Sequence, residues 1–399
     1  MSSLSYGEFL NGTGILDSSS LKSPLWFANK VYIAYCSSDA FMGNINENET
    51  VWGWYFQGQQ IVYETIRILR DKFGLDHNSK VVLSGSSAGA RGLMVLYENL
   101  VENHLPKGID VFAFLDSPYY IDVVPYTSSF RGFLYETSQV YVNYNVSLDI
   151  LGVDCKAHYS KEPWKCLFGQ YRMPYITLPY FLMLSTYDSY QLSRNIGQDP
   201  PYVNQSAYDF AETFAALTTA HIANLMSARE RPPNDSRPTP PAPASNELRP
   251  YAEPLFGYFM WSCYSHAQSA TEQFYLSSTE SGVTPSKALG LYLSRLSNSY
   301  APPGAATAAL GEEIVALNSS IISWIDLCVG FGCGGGCVSK VVVGDERARG
   351  WTYLWSLVSV AALMTVILLV YIVYSMSGFG EIRRMRGRVA YKGLSLGIR

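Results

Sequence analysis

The chain has 399 residues, 48% of them hydrophobic, which is enough for one large folded domain with a substantial core. Its formal net charge of −4 is small and gives no indication of a nucleic-acid partner. The composition has no bias that would indicate a fibrous or wholly disordered chain.

Strands alternate with helices along the first 261 residues. Apolar runs predict strands at 31–35, 81–83, 111–115, 180–184 and 255–261. Apolar residues three and four apart predict helices at 57–73, 93–100 and 207–226. Such alternation indicates an α/β fold with a mostly parallel sheet flanked by helices. The proline-rich stretch 231–254 has no periodicity, and we expect a disordered surface insertion there, with a partner-binding loop as the alternative.

A glycine-serine turn follows the strand at 81–83 and leads directly into a helix. Its sequence is Gly85-Ser86-Ser87-Ala88-Gly89, the G-x-S-x-G pattern in the context of a nucleophile elbow. Ser87 would stand at the tip of this turn. The N–H of Ala88, at the start of the helix, would then face a developing oxyanion. A tight packing turn without catalysis is the alternative.

A catalytic serine needs a histidine base and an acid that orients the base. The five histidines are His77, His104, His158, His221 and His266. Position favours His266, which comes just after the strand at 255–261, because catalytic groups collect at the carboxyl ends of parallel strands. By the same rule Asp188 and Asp116 both qualify as the acid, and position alone leaves them as rivals.

At these residues the chain resembles the pectin acetylesterase family, over roughly residues 6 to 337. Besides the serine turn, the matching segments are Tyr35–Asp39, Tyr55–Gly58, Leu115–Asp122, Cys155–Cys166, Tyr187–Gln191 and Ser262–Gln268. They resemble the family's Y-C-S-S, F-R-G, A-D-A-G-F-F-x-D, disulfide-loop, Y-D-x-W-Q and S-C-x-x-H-x-Q motifs. Ala90 and Pro118 stand where the family has glycine.

The resemblance implies an α/β-hydrolase-like fold with Ser87 as nucleophile, Asp188 as orienting acid and His266 as base. It implies Ala88 as an oxyanion donor and moves Asp116 to the pocket wall. Pocket residues expected on the same basis are Ser86, Asp39, Asp116, Tyr119 and Tyr120.

One family segment has no counterpart here. The family's N-terminal strand ends in G-G-G-W, whose backbone N–H groups supply much of the oxyanion hole, and nothing similar precedes residue 31. The first residues, MSSLSYGEFLNGTG, also lack the features of a signal peptide. Both observations lead us to expect that the sequence lacks its natural N-terminus and that the full protein is active.

Residues 351–374 form an uncharged apolar stretch long enough to cross a bilayer, with aromatic residues at both ends. Basic residues follow it, so the positive-inside rule predicts a single-pass type I protein with a cytoplasmic tail at 375–399. Residues 1–340 would then be an extracellular or lumenal esterase domain. A buried core helix is the alternative. All six N-glycosylation sequons precede the span, at Asn11, Asn48, Asn145, Asn204, Asn234 and Asn318.

Seven cysteines in such a domain indicate disulfides, and Cys155–Cys166 is the pair we expect. Cys328, Cys333 and Cys337 could also resemble a zinc knuckle, but an oxidising compartment favours disulfides. We expect no metal and no organic cofactor.

The sequence therefore predicts a membrane-anchored serine carboxylesterase that removes O-acyl groups, chiefly acetyl, from a polysaccharide or glycoconjugate. Its partners would be that acylated substrate and the lipid bilayer. Three alternatives stay open: a deacylase of lipid-modified protein, a catalytically impaired binding protein on an esterase scaffold, and a serine peptidase on the same fold.

Overall fold

The structure, a computed structural model, describes residues 11–46, 48–229, 255–296, 320–331 and 335–337. Those residues all belong to the first of two compact units, Met1–Val341. The predicted insertion at 231–254, the predicted membrane span at 351–374, the tail at 375–399, and Asn234 and Asn318 lie outside them. Within the described ranges, no helix is both long and apolar enough to cross a membrane.

The centre of the fold is a five-stranded sheet in which every neighbouring pair is parallel and spatial order follows chain order. The strands are β1 Lys80–Ser86, β2 Asp110–Asp116, β3 Tyr180–Ser185, β4 Phe256–Trp261 and β5 Ile321–Ile325. The predicted strands at 81–83, 111–115, 180–184 and 255–261 are confirmed, and β5 was not predicted.

Helices connect and cover these strands. They are α1 Gly58–Phe73, α2 Ala88–Asn99, α3 Phe133–Asn143, α4 Val153–His158, α5 Gly169–Arg172, α6 Ser189–Ile196, α7 Gln205–Arg229, α8 Gln273–Leu276 and α9 Pro285–Leu296. The three predicted helices are confirmed as α1, α2 and α7, and α2 begins five residues earlier than predicted, directly after Ser87.

Alternate residues of the inner strands enter two separate hydrophobic cores. In β2, Val111 and Leu115 belong to the core that includes α2 and α7, whereas Phe112 and Phe114 belong to the core that includes α9. Both faces of the strand are therefore covered, which explains why its sequence is apolar without interruption.

The predicted buried strand at 31–35 is wrong, because the segment is irregular and only partly covered. Ile33 and Tyr35 pack against the larger core, but Val31 and Tyr32 are 55% and 54% exposed. An apolar run forms a buried strand only when other elements cover both of its faces. The segment 31–35 contacts the core with one face only. Because 31–35 is not a strand, β1 lies at the edge of the described sheet, and its side chains are half-exposed.

Two disulfides have both of their cysteines within the described residues. Cys155 of α4 is bonded to Cys166 in the turn Pro163–Leu167, as expected from the sequence. Cys263, just after β4, is bonded to Cys337 with a Cα–Cα distance of 5.3 Å. The second bridge ties the C-terminal part of the described chain to the loop that carries His266.

Candidate active site

Three side chains from three strand ends form one hydrogen-bonded chain. Ser87 follows β1, Asp188 follows β3 and His266 follows β4. The His266 Nε2 lies 2.7 Å from the Ser87 Oγ, and the His266 Nδ1 lies 2.8 Å from the Asp188 Oδ2. An imidazole that bridges a hydroxyl and a carboxylate can take the proton of the hydroxyl as an attacking oxygen forms its bond.

The turn that carries Ser87 is strained. Ser87 has φ 53° and ψ −117°, and its N–H donates to the Asp116 carbonyl at 2.9 Å. Gly85 is required because a Cβ there would lie 2.4 Å from the Gly89 carbonyl oxygen. Gly89 is not required in the same way, since its Cβ would meet only Phe41 at an ordinary 3.8 Å. Close approach of strand and helix therefore depends on Gly85.

Ala88 is the first residue of α2, so its N–H belongs to the turn whose donors have no acceptor within the helix. The positive end of the helix macrodipole points in the same direction. A negatively charged oxygen beside the Ser87 hydroxyl would be stabilised at this position.

Both carboxylate oxygens of Asp188 form hydrogen bonds that fix its orientation. Its Oδ1 accepts the Gln191 N–H at 2.9 Å and so caps α6, while its Oδ2 faces His266. The Ser189 N–H donates to the Ser265 carbonyl at 3.1 Å, which ties the acid loop to the histidine loop. The carboxylate is 3% exposed and cannot rotate away without losing the helix cap.

The pKa of His266 is raised above the usual histidine value of 6.5. Burial opposes protonation, but the charge of Asp188 and its hydrogen bond outweigh it, and Asp116 adds to the rise. Arg91 acts in the opposite direction. A stabilised imidazolium is what a general base needs after it has taken a proton.

Asp116, the rival acid, forms no hydrogen bond with the His266 ring. Its Oδ2 accepts the Ser269 N–H at 2.7 Å and the Ser86 hydroxyl at 3.3 Å, and its Oδ1 accepts the Ser117 hydroxyl at 2.8 Å. Burial raises its pKa. Asp116 is 1% exposed, and its bonds join the Ser87 turn to the loop after β4. Its expected place on the pocket wall stays a prediction.

Ser117 continues this link. Its hydroxyl accepts the Ala267 N–H at 3.1 Å, and its own N–H donates to the Met183 carbonyl at 2.8 Å. Ser117 and Ala267 both have φ 60°, a conformation that non-glycine residues adopt at a cost. The hydrogen bond between them holds the residue after His266 in that conformation.

Two further predicted pocket residues support the scaffold. Asp39 is 1% exposed, and its carboxylate accepts the Ser37 hydroxyl and the N–H groups of Phe41 and Gly58. Tyr119 is 4% exposed and belongs to the larger core. Both side chains are enclosed, and the expectation that they belong to the pocket stays a prediction.

Tyr120, by contrast, does face the histidine, as part of an aromatic wall. The wall consists of Tyr120, Phe133, Phe168 and Tyr190. The ring centroids of Tyr120 and Tyr190 lie 6.4 Å and 5.3 Å from that of His266. Tyr190 is 43% exposed, whereas the other three are between 0% and 4% exposed. The wall leaves one accessible ring beside the imidazole.

The remaining histidines lie elsewhere in the fold. His104 stacks on Tyr63 with centroids 3.6 Å apart, and His158 packs against Tyr159. His77 is exposed, and His221 lies within α7 with its pKa lowered by burial.

Arg91 and Tyr190 belong to the site but were not predicted. Arg91 lies one helical turn after Ser87, and its guanidinium covers the Tyr120 ring at 4.7 Å. Tyr190 lies two residues after Asp188, in the motif that resembles Y-D-x-W-Q. Both residues could have been predicted from the sequence, because Arg91 is close to Ser87 along the chain and Tyr190 is close to Asp188.

Comparison with known proteins identifies related carboxylesterases. Palmitoleoyl-protein carboxylesterase notum2 of Xenopus laevis is 30% identical over 200 residues, covering 48% of this chain and 40% of that protein. Pectin acetylesterase 4 of Arabidopsis thaliana is 28% identical over 197 residues, covering 48% of this chain and 46% of that protein. The chain thus spans less than half the length of these curated relatives.

The crystal structure of the Wnt deacylase Notum from Drosophila, crystal form II, has the same fold. It superposes with a TM-score of 0.61 at 19% identity and covers 83% of this chain and 80% of that chain. The family model described as Pectinacetylesterase matches residues 1–300, which is most of the sequence. The chain belongs to the pectinacetylesterase family.

Proposed function

We propose that the protein is a serine carboxylesterase, a carboxylic ester hydrolase of α/β-hydrolase type in which Ser87 is the nucleophile, His266 the base and Asp188 the orienting acid. The observation that carries the proposal is the pair of hydrogen bonds, 2.7 Å and 2.8 Å, on the two nitrogens of His266. The names of the relatives, which are carboxylesterases acting on a palmitoleoyl-protein and on pectin, support the same reaction class.

The reaction proceeds by two acyl transfers. The His266 Nε2 removes the proton from the Ser87 Oγ as this oxygen bonds to the ester carbonyl carbon. The carbon–oxygen bond to the alcohol then breaks, and the alcohol leaves with the proton from the imidazolium. In the second half, water gives a proton to His266 and attacks the acyl carbon, so that the carboxylic acid is released and Ser87 is restored.

Asp188 and Ala88 have separate tasks in these steps. Asp188 accepts the Nδ1–H of His266, which leaves the Nε2 unprotonated and directed at Ser87, and it stabilises the imidazolium. The Ala88 N–H donates to the oxygen that becomes negative in each tetrahedral intermediate. Removal of one such donor typically costs about 10²- to 10³-fold in rate.

The substrate that we propose carries a short acyl group, chiefly acetyl, on a polysaccharide or glycoconjugate. Tyr120, Phe133 and Phe168 are at most 4% exposed, and the Tyr120 ring contacts both phenylalanine rings, so side chains fill the space beside the imidazole. A long acyl chain needs a deep apolar pocket there. The half-exposed Tyr190 ring offers a flat apolar face to a sugar ring beside the ester.

A series of p-nitrophenyl esters of increasing acyl length tests the proposal. We expect kcat/KM for the acetate to exceed that for the octanoate by about tenfold or more, because extra methylenes that find no pocket are rejected. Tyr190→Ala removes the accessible ring of the wall and should reduce this ratio. Tyr126→Ala, at a tyrosine of similar exposure (40%) that contacts Phe210, is the matched control.

Each other outcome identifies an alternative. A preference for the octanoate would support a deacylase of lipid-modified protein, the class that the Notum relatives are named for. Turnover of peptides without turnover of esters would indicate a serine peptidase. Retention of an acylated glycan without any turnover would indicate a binding protein on an esterase scaffold.

We further propose that the catalytic unit is anchored to the lipid bilayer by residues 351–374 and faces the extracellular or lumenal side. Four sequon asparagines support this orientation, since Asn11, Asn48, Asn145 and Asn204 are all exposed. The full chain should remain in the membrane pellet after alkaline carbonate extraction, and its mobility should increase after N-glycan removal. A full chain that is extracted by carbonate and unaffected by the glycosidase would contradict the proposal.

A further inference from the structure

Phe331, in the segment after β5, lies among four tyrosine rings. The ring centroids of Tyr187 and Tyr264 are 4.8 Å and 5.5 Å from that of Phe331, and both rings meet it edge to face. Tyr202 and Tyr208 complete the group at 6.0 Å and 6.2 Å. These four rings form a tyrosine cage. Phe331 therefore fills a space that is lined by aromatic rings from three parts of the chain.

The two nearest rings of the cage belong to the loops that carry the acid and the base of the proposed triad. Tyr187 directly precedes Asp188, and Tyr264 precedes His266 by two positions. One side chain, Phe331, thus packs against both loops. Because its aromatic contacts within the described residues are to the cage, it would act on the triad through these tyrosines.

The segment after β5 binds Tyr187 through its backbone as well. The Gly330 N–H donates to the Tyr187 hydroxyl at 2.7 Å, and this hydroxyl donates to the Glu212 Oε2 at 2.6 Å. Tyr187 is 1% exposed, so it is fixed at its hydroxyl by polar bonds and at its ring by Phe331. The start of the loop that places the Asp188 carboxylate is restricted in the same way.

The hydrogen bond between the acid and the base depends on the relative position of these two loops. The Asp188 Oδ2 and the His266 Nδ1 are 2.8 Å apart. A misplacement of about 1 Å at a catalytic group can cost on the order of 10²-fold in rate. A filled cage leaves the loops no space into which they could relax, whereas an emptied cage would.

We infer that Phe331 is a positioning residue of the triad: by filling the tyrosine cage it holds the loop of Asp188 and the loop of His266 at the separation that their hydrogen bond needs. The inference rests on the proposed ester hydrolysis at Ser87. It adds to that reaction a determinant of its rate that acts through other residues.

Replacement of Phe331 with alanine tests the inference. In Phe331→Ala, kcat for p-nitrophenyl acetate should fall about 10- to 100-fold, because the loops can relax into the emptied cage. The KM should stay nearly unchanged, since the aromatic wall beside the imidazole is left intact. Phe331→Leu refills most of the space and should recover most of the lost kcat. The matched control is Phe210→Ala, which removes another partly buried phenyl ring that packs on a tyrosine, Tyr126 at 5.9 Å, and should keep kcat.

The pKa of His266 separates positioning from a simple loss of folded protein. The titratable and charged groups that face the imidazole are Asp188, Asp116, Arg91, Tyr120 and Tyr190. Moving Asp188 away weakens the charge and the hydrogen bond that raise this pKa, so the acidic limb of kcat against pH should move to lower pH in Phe331→Ala. Titration of the His266 ring protons by NMR measures the same shift without turnover. A loss of folded protein would lower activity at every pH and leave the limb in place.

The outcomes separate this inference from the proposed function. An unchanged kcat, or an unchanged limb, in folded Phe331→Ala overturns the inference and leaves ester hydrolysis standing. If thermal unfolding shows that Phe331→Ala does not fold, Phe331→Val takes its place, and the same two shifts are expected at smaller size. Failure of the unsubstituted protein to hydrolyse p-nitrophenyl acetate overturns the proposed function itself. The NMR titration then still decides whether Phe331 holds the acid against the base.

Discussion

Replacing Ser87 with alanine should lower kcat for p-nitrophenyl acetate on the order of 10⁶-fold. The Ser87 Oγ is the atom that lies 2.7 Å from the His266 Nε2, and without it the imidazole has no hydroxyl to deprotonate. The loss should appear in kcat at every pH, because no change of protonation restores the missing oxygen.

The same variant should lose covalent labelling. A fluorophosphonate probe bonds to an activated serine oxygen and releases fluoride, so the mass of the unsubstituted protein should increase by one phosphonyl group, located on the peptide that contains Ser87. Ser84→Ala, an exposed serine of the same strand, is the control and should label at the normal rate. Labelling of Ser87→Ala at the normal rate would show that another residue is the nucleophile.

Strand and helix positions were predictable where the hydrophobic pattern is long and both faces are covered. β2 and β3 lie between two cores and have uninterrupted apolar sequences, so an apolar run identified them. The segment 31–35 has a similar run but covers one face only, and sequence alone does not show which faces are covered. β5 was missed because Ile321–Ile325 is short and only Ile321 is fully buried.

The members of the site were predictable because parallel strands bring their carboxyl ends to one edge of the sheet. That rule applies equally to Asp116 and Asp188, which both end or follow a strand. What separates them is the path of the loop after β4. It brings the Ser269 N–H to Asp116 and the imidazole to Asp188, and no local sequence pattern encodes those contacts.

Arg91 illustrates the other limit. Its position one turn after Ser87 is evident in the sequence, but its importance depends on Thr137 and Tyr120, which are 46 and 29 residues away along the chain. That no carboxylate among the described residues pairs with this guanidinium becomes visible only when the surrounding side chains are placed. Local propensity fixes the helix that presents the arginine, and tertiary contacts fix the direction of its guanidinium.

Asp188→Asn should lower kcat by about 10⁴-fold while the protein remains folded. An asparagine can still cap α6, since its oxygen can accept the Gln191 N–H as the Asp188 Oδ1 does. Its amide nitrogen, however, would face the His266 Nδ1 as a donor. The imidazole would then carry its proton on the Nε2, the wrong nitrogen for receiving the proton of Ser87.

The pH profile gives the same variant a second readout. Base catalysis needs neutral His266, so activity rises with pH through the pKa of this histidine, which Asp188 raises. Loss of that charge lowers the pKa, and the acidic limb of the remaining activity should move to lower pH. Measurement of kcat against pH for both proteins, with thermal unfolding to verify folding, checks both expectations.

Asp116→Asn is the contrast that decides between the two acids. It leaves the hydrogen bond between Asp188 and His266 in place and weakens the link from Asp116 to Ser269 and Ser86. We therefore expect a smaller loss of kcat, about 10-fold, together with about 1–3 kcal/mol of folding stability, the usual cost of a buried hydrogen bond left unsatisfied. A 10⁴-fold loss in Asp116→Asn with a mild effect in Asp188→Asn would exchange their roles. Both carboxylates raise the pKa of His266, so the direction of the pH shift is the same for the two variants. The size of the kcat loss therefore distinguishes Asp188, which orients the imidazole, from Asp116, which joins the loops.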